Sequence, residues 1–548
     1  MLSYKLITTL AELASYQHTW SAILEREQNN NPFIEFEWIS TWWATVGVQD
    51  NVEIYIVEQD GMAVAFFPLV HSVKWRTIHY FEFAGKGLAT YMGVIAEKHW
   101  QEPAIAYLWQ ELAKRWKHLL VVWNGLLEST ITSNLLEKHM IEHQLPYTIF
   151  RTVAPYIDFQ ATSLDDFLYK HRKKFKTIRR REKKLAALGQ LDFQEVQAIQ
   201  MDELVRLFAR RWQRKIDKSG FTHQQIRLFW ERLAQIKGQA WHVEMDCLQF
   251  EGHWIGFTLD ICCRGRNVCL VMGHEPDFQM FGPGRLIEKE NLLKAHRLQY
   301  RFYDFGSGYE PYKFEWYTHV DFSRMFVMST KGQLERLVRL LMVTKAQLKG
   351  LLTNNHWFVT FKRDRLGELR YFLQTARLKD WLDWSKKYIF SIHIFDIYVA
   401  AESQKPCHEI TIQDVMNDAN RAVYIKGWTQ GYAFYRIQDT STVYGLHEQR
   451  LHDKKTGFSC ELPTNMLYSE EAVLPSIGKA CCTTVHWYEK KKQRQLKEQG
   501  FQKTARIAVW RFWKWQKVYQ PKNVWQKFIQ QQEKLRSMWQ WIVFPFFI

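Results

Sequence analysis

Residues 267–315 constrain this chain more than any other stretch of it. Positions 268–272 are a short apolar run rich in β-branched residues, the pattern of a buried strand. The run breaks into a loop at 273–276. Gln279, Gly282 and Gly284 then spell Gln-x-x-Gly-x-Gly. Pro283 suits the first turn of a helix, and Leu286, Leu292, Leu293 and Leu298 give that helix an apolar side. A second strand is expected at 300–305. A strand, a glycine-rich turn and a helix start together make an anion cradle. Glycines let the backbone come close to a ligand, and the free N–H groups of the helix start face it with the positive end of the dipole. Three glycines also make an ordinary tight turn, so the surroundings decide.

Those surroundings hold a second motif, Asp304-Phe305-Gly306-Ser307-Gly308-Tyr309-Glu310-Pro311-Tyr312-Lys313. The two motifs, in this order with a helix between them, resemble the acyl-CoA pyrophosphate loop and the D-x-G-x-G-x-E-x-Y-K end of one branch of the GNAT acetyltransferase superfamily. That branch comprises acetyltransferases associated with cellulose and exopolysaccharide biosynthesis, distant relatives of the FemAB peptidyltransferases. The resemblance spans roughly residues 20–330 and is strongest over 155–315. It implies an α/β (α+β) fold of tandem GNAT-like units with mixed sheets. The implied donor is acetyl-CoA, and the implied acceptor is an amine or hydroxyl of a sugar or surface-polymer precursor.

The rest of the chain is consistent with several partners. A length of 548 residues calls for two to four domains. A formal net charge of +17 favours anionic partners without choosing among CoA phosphates, acidic polymers, lipid and nucleic acid. Aromatic residues make up 16%, which implies large buried rings or flat surfaces for sugars, bases or an interface. Eight cysteines lack metal-ligand spacing, and two adjacent pairs, Cys262–Cys263 and Cys481–Cys482, are poor disulfide candidates. No metal is expected. Without a long apolar N-terminal run or a span-length segment, the expected place is the cytoplasm.

Taken in order, residues 1–30 read as a strand then a helix, and 33–46 as a helix whose Trp38, Trp42 and Trp43 belong to a core. Strands at 52–57 and 62–70 join at Gln59-Asp60-Gly61, a hairpin signal. The stretch 58–66 has a counterpart at 249–257, so two similar units are expected. The basic run 170–184 keeps an apolar side with Phe175, Ile178 and Leu185. It reads as a structural, acceptor-facing helix, with a nucleic-acid patch as the alternative. Two helices over 201–237 and three antiparallel strands lead into the glycine loop. Beyond residue 330, helices are expected at 334–352 and 367–388, a linker at 403–406, strands at 422–425, 433–437 and 505–510, and a helix at 485–499. The apolar end, 538–548, is either a packed docking segment or a foot on anionic lipid at the inner face of a membrane. The parts are then 1–155, a non-catalytic GNAT-like half; 156–330, the catalytic half with the acyl-CoA loop; 331–404, a helical connector; and 405–548, a C-terminal α/β extension with the apolar tail, a degenerate GNAT-like unit being the alternative.

Acyl transfer from a thioester requires an anchored diphosphate, a polarised carbonyl and a base for the acceptor. Gln279, Phe281, Gly282, Gly284 and Arg285 are the expected CoA-binding residues, and a backbone N–H within 268–272 the polarising group. Glu275 and Asp304, each at a strand end, are the candidate bases, with His274 beside the first. The resemblance makes Tyr309 and Tyr312 candidates to protonate the leaving thiolate, and Lys313 a substrate-binding cation. A FemAB-like transfer from charged tRNA and a non-catalytic basic scaffold remain as alternatives.

Overall fold

Two tight turns mark matching points in the two halves. Asp60 and Gly61 take φ of 51° and 82°, and Glu251 and Gly252 take 48° and 74°. A two-residue hairpin with right-handed strand twist needs positive φ at both central positions, which is why an acid followed by glycine stands at each. The computed structural model describes residues 1–353, apart from 197–199, 213–222 and 239, and most of 392–519. The helix expected at 367–388, the linker at 403–406 and the tail at 538–548 lie outside the described residues. The chain divides into two compact units, Met1–Tyr371 and Phe372–Ile548.

In the first unit the strands are β1 (Leu2–Ile7), β2 (Val52–Gln59), β3 (Met62–Lys74), β4 (Ile78–Phe83), β5 (Ile95–Ala96), β6 (Leu119–Leu127), β7 (Tyr147–Asp158), β8 (Leu191–Glu195), β9 (Trp241–Phe250), β10 (His253–Cys263), β11 (Arg266–His274), β12 (Phe302–Asp304) and β13 (His319–Ser329). They form one mixed sheet in the order β1-β2-β3-β4-β6-β13-β7-β12-β11-β10-β9-β8, with β5 beside β3. Two neighbouring pairs are parallel, β4 with β6 and β11 with β12. Each parallel pair is bridged by a helix, as parallel strands require. The helices are α1 (Leu10–Ala14), α2 (Gln17–Arg26), α3 (Phe36–Thr45), α4 (Lys98–Arg115), α5 (Ile131–Glu142), α6 (Leu164–Lys170), α7 (Arg172–Ala186), α8 (Met201–Trp212), α9 (Gln224–Gln235), α10 (Pro283–Arg297) and α11 (Gln333–Thr353).

The fold class is therefore the expected one: α/β, with mixed sheets and a repeated hairpin–parallel-pair plan. The halves are interlocked within it. β13, last in sequence, lies between β6 and β7 and pairs antiparallel with both. Trp38 of α3 is fully buried and packs edge-on against Phe229 of α9, ring centroids 4.9 Å apart. Trp241 Nε1 donates to Pro32 O at 3.0 Å. Trp38, Trp42 and Trp43 are all core residues, as their helical spacing suggests.

The second unit has its own sheet. Ile392–Ala400 runs antiparallel between Ala480–His486 and Gln502–Trp510. The helix Lys490–Glu498 sets Leu496 against Tyr398, Val485 and Phe501. It starts five residues later than expected because 480–486 is strand. The expected strand at 422–425 is corrected: it lies inside a helix, Arg421–Thr429. A four-residue apolar run has no period of its own, so tertiary packing decides. Here Tyr424 and Ile425 are buried, and Arg421 donates to Met416 O at 2.7 Å. Among the described residues no helix is long and apolar enough to cross a membrane.

Candidate active site

The site grows from an unmatched strand. β11 and β12 pair over three residues only, Arg266 with Phe302, Asn267 with Tyr303 and Val268 with Asp304. β12 then ends, while β11 continues to His274. The two parallel strands therefore part just beyond Asp304. On its other side β11 carries a bulge against β10: Val271 faces Leu259 and Cys269 faces Asp260, so Leu270 has no opposite number. A bulge leaves its extra residue out of the ladder and re-aims the strand. It also changes which side chains share a face, so Cys269 and Met272 both look toward α10.

At the far end of β11 stands the glycine loop. A 3-10 turn, Pro276–Phe281, leads to Gly282, whose φ of 68° and ψ of 55° lie in the left-handed region. Gly282 O accepts from the N–H groups of Arg285 and Leu286 at 2.9 and 3.2 Å. Pro283 has no N–H, so Gly284 offers the orphan donor of this helix start. A Cβ on Gly284 would stand 3.3 Å from Met272 Sδ and 3.6 Å from His274 Nδ1. The loop also has a cation that sequence reasoning did not assign. Arg181 of α7 places Nη1 2.8 Å from where a Gly282 Cβ would be. Among the described residues it has no acidic partner. The basic helix thus packs against the loop and α10, where Lys289 of α10 meets Glu182 of α7 at 2.9 Å.

On the other face of the sheet is a cavity of about 220 Å³. Side chains two apart on a strand share a face. Asp158, Tyr156 and Ala154 of β7, Phe302 and Asp304 of β12, Arg266 of β11 and Asp321 of β13 all line it, joined by Tyr91, Leu127 and Ser129 from the first half. Asp304 is its best-held wall. Its carboxylate accepts from Tyr91 Oη at 2.8 Å, from Arg266 Nη1 at 2.6 Å and from Gly306 N at 2.7 Å. Burial and the Asp304 charge hold the Tyr91 hydroxyl well above the ordinary tyrosine range.

The other expected site residues are spread along β11 and its neighbours. Glu275 is buried, and its Oε2 lies 2.9 Å from Arg210 and 3.4 Å from Arg206, both on α8. It stands seven residues beyond the level of Asp304, roughly 20 Å at strand rise. The two candidate bases therefore cannot serve one reacting atom. Gln279 is exposed, Phe281 is buried, and Arg285 pairs with Glu315 at 2.6 Å. Tyr309 and Tyr312 are exposed in the loop after β12. Lys313 is buried and clamps that loop, donating to Ser307 O at 2.8 Å and meeting Glu310 at 3.1 Å.

The side of the sheet under α10 is unexpectedly polar. Lys294 reaches Asp246 at 3.0 Å and Glu244 at 3.1 Å, and Tyr300 donates to Glu244 at 2.6 Å. Burial pushes Asp246 up to about 6, while His242, Lys294 and Tyr300 overcome burial at Glu244 and hold it down at about 2. His242, Glu244 and Cys262 have ligand atoms within 4.8 Å of one another, but Glu244 already answers Lys294 and Tyr300. Glu288 is the other buried acid. It follows Gly284 by four residues, so it shares that face of α10, one turn farther in. Trp316 Nε1 donates to its Oε2 at 2.8 Å, and burial pushes the carboxyl up to about 8.

Residues 172–314 match the family model of the acetyltransferase (GNAT) domain. The matched stretch runs from α7 to the clamp loop and so contains the bulge, the glycine loop and Asp304. It is similar to a GNAT-type acyltransferase domain. Among solved structures, FemX is similar at 10% identity and a TM-score of 0.43, covering 61% of this chain and 100% of that one. A tandem GNAT protein from the clavulanic acid biosynthesis pathway is similar at 11% identity and a TM-score of 0.37, covering 60% and 98%. A GCN5-related N-acetyltransferase from Sphaerobacter thermophilus is similar at 11% and 0.31, covering 60% and 95%. Likeness this distant says nothing of activity. A search of curated proteins finds no match.

Proposed function

We propose that this chain transfers an acetyl group from acetyl-CoA to an amine or hydroxyl of a sugar or surface-polymer precursor. One observation carries the reading: the split between β11 and β12 has the glycine loop at one end and the cavity at the other, with the bulge between them. The orphan N–H at Gly284, the α10 dipole and Arg181 suit a diphosphate. The backbone at Leu270, outside the ladder, suits the developing charge on a thioester carbonyl oxygen. The acceptor nitrogen or oxygen attacks the carbonyl carbon. A C–N or C–O bond forms, the C–S bond breaks, the acceptor gives up one proton and the departing thiolate gains one. Of the two candidate bases, Asp304 is the one that lines the cavity. Tyr309 and Tyr312, on the loop beyond it, serve the thiolate.

A second reading rests on α7. Its outer face carries Arg172, Lys173, Lys176, Arg179, Arg180, Lys183 and Lys184, all exposed. Such a face suits the backbone of a charged tRNA, as an aminoacyl transferase would need.

Calorimetric titration with acetyl-CoA tests the donor side. Gly284→Val keeps ordinary helical φ and displaces only the ends of Met272 and His274, so it should fold and lose at least tenfold in affinity. Gly282→Val is a poorer probe, because a β-branched residue is strained at positive φ. Undiminished binding by Gly284→Val would remove the main support for the acyltransferase reading.

A further inference from the structure

The cavity between the halves has a composition that selects by charge. Its walls hold three carboxylates, Asp158, Asp304 and Asp321, and two guanidiniums, Arg266 and Arg301. Arg266 answers Asp304 at 2.6 Å and Arg301 answers Asp158 at 3.7 Å. Both guanidiniums also lie over the Phe302 ring, 4.9 and 4.6 Å from its centroid. Asp321 is the remainder. It accepts from Ser129 Oγ at 2.5 Å and from the Phe322 backbone N–H at 2.7 Å, and among the described residues it has no cationic partner.

We infer that this cavity is the acceptor site and that it takes a small primary amine in its ammonium form, held by Asp321 beside Tyr156. The inference rests on the acyltransferase reading and narrows its acceptor to amines. Three features support it independently. The lining carries one carboxylate more than it has guanidiniums, and a cleft with a net charge of one sign concentrates the opposite ion. Tyr156 stands directly across from His319, the residue two before Asp321 on β13, and its ring stacks on that imidazole with centroids 5.6 Å apart, so the aromatic pair and the carboxylate share one face of neighbouring strands. Arg266 Nε is buried and has no hydrogen-bond partner, a donor left for a hydroxyl or carbonyl oxygen on the same ligand. Size sets the rest. A cavity of about 220 Å³ is smaller than the roughly 300–1,000 Å³ of drug-sized sites, so it takes one polar ring or one short chain.

The test is binding by the full chain at about pH 6, where an aliphatic amine is protonated and a carboxylate ionised. D-Glucosamine and D-glucose are the probes, and acetyl-CoA affinity is read on the same sample. Glucosamine should bind at least tenfold more tightly than glucose. Asp321→Asn, which keeps an oxygen for Ser129, should erase that difference with its melting temperature retained. Equal binding of the two sugars, or binding of neither while acetyl-CoA binds, overturns the ammonium site and leaves the acyltransferase reading standing. Glucosamine preference without any acetyl-CoA binding supports the ammonium site and removes the acyltransferase reading instead.

Discussion

At the residue scale Glu288 is the most informative side chain. Its folded pKa, about 8, lies above the ordinary 4.5, so between those values the folded chain holds a proton that the unfolded chain releases. Stability from this group is complete below about 4.5 and falls as pH rises through 8. Glu288→Gln keeps an oxygen for Trp316 and removes the titration. Its melting temperature should match the parent near pH 5 and exceed it by several degrees near pH 9. Equal melting curves at both pH values would mean that the carboxyl is solvated. Sequence reading passed over this residue, because a glutamate in a charged helix looks solvent-facing. Only its offset of four from Gly284 hinted otherwise. Asp304 was legible as a strand-end acid. Asp321, Tyr91 and Arg181 were not, since each reaches the site from an element far away in sequence.

At the scale of elements, α10 does more than present its first turn. Its inner face lays Lys294 between Asp246 and Glu244, with all three side chains nearly excluded from solvent. Removing the cation strands two buried acids, so Lys294→Met should cost about 3–5 kcal/mol. Adding Asp246→Asn should recover part of that loss. Thermal or urea denaturation measures both, and a single variant as stable as the parent would show the acids to be neutral or wet. The strand–loop–helix–strand order was readable from periodicity, glycine and proline. The bulge at Leu270 was not, because a two-residue period looks intact on either side of one inserted residue. The run at 422–425 failed for a related reason: four apolar residues are too few to show a period.

At the scale of the molecule, the first unit is one sheet, although the sequence reads as two similar halves. The hairpins at 60–61 and 251–252 made the repeat visible. No local signal announces that β13 belongs between β6 and β7, because strand order is set by long-range pairing. A chain ending at residue 318 should therefore lose β13 and expose facing edges of both halves. Compared with a chain ending at 353, it should melt less cooperatively, and hydrogen exchange at β6 and β7 amides should rise together. Unchanged protection of β6 would show the first half to be independent.

The place of β13 also sets a schedule for biosynthesis. β7 is complete at Asp158, but the strand that joins it to β6 ends at Ser329, roughly 170 residues later. At about 5–20 residues per second, the ribosome needs roughly ten to thirty seconds to deliver it. Throughout that interval the nascent first half has a gap in the middle of its sheet, bordered by two unpaired apolar strands. Such edges recruit other strands. This chain should therefore depend on a chaperone during its own translation, and slow synthesis should lower its soluble yield more than that of a protein whose sheet closes in sequence order.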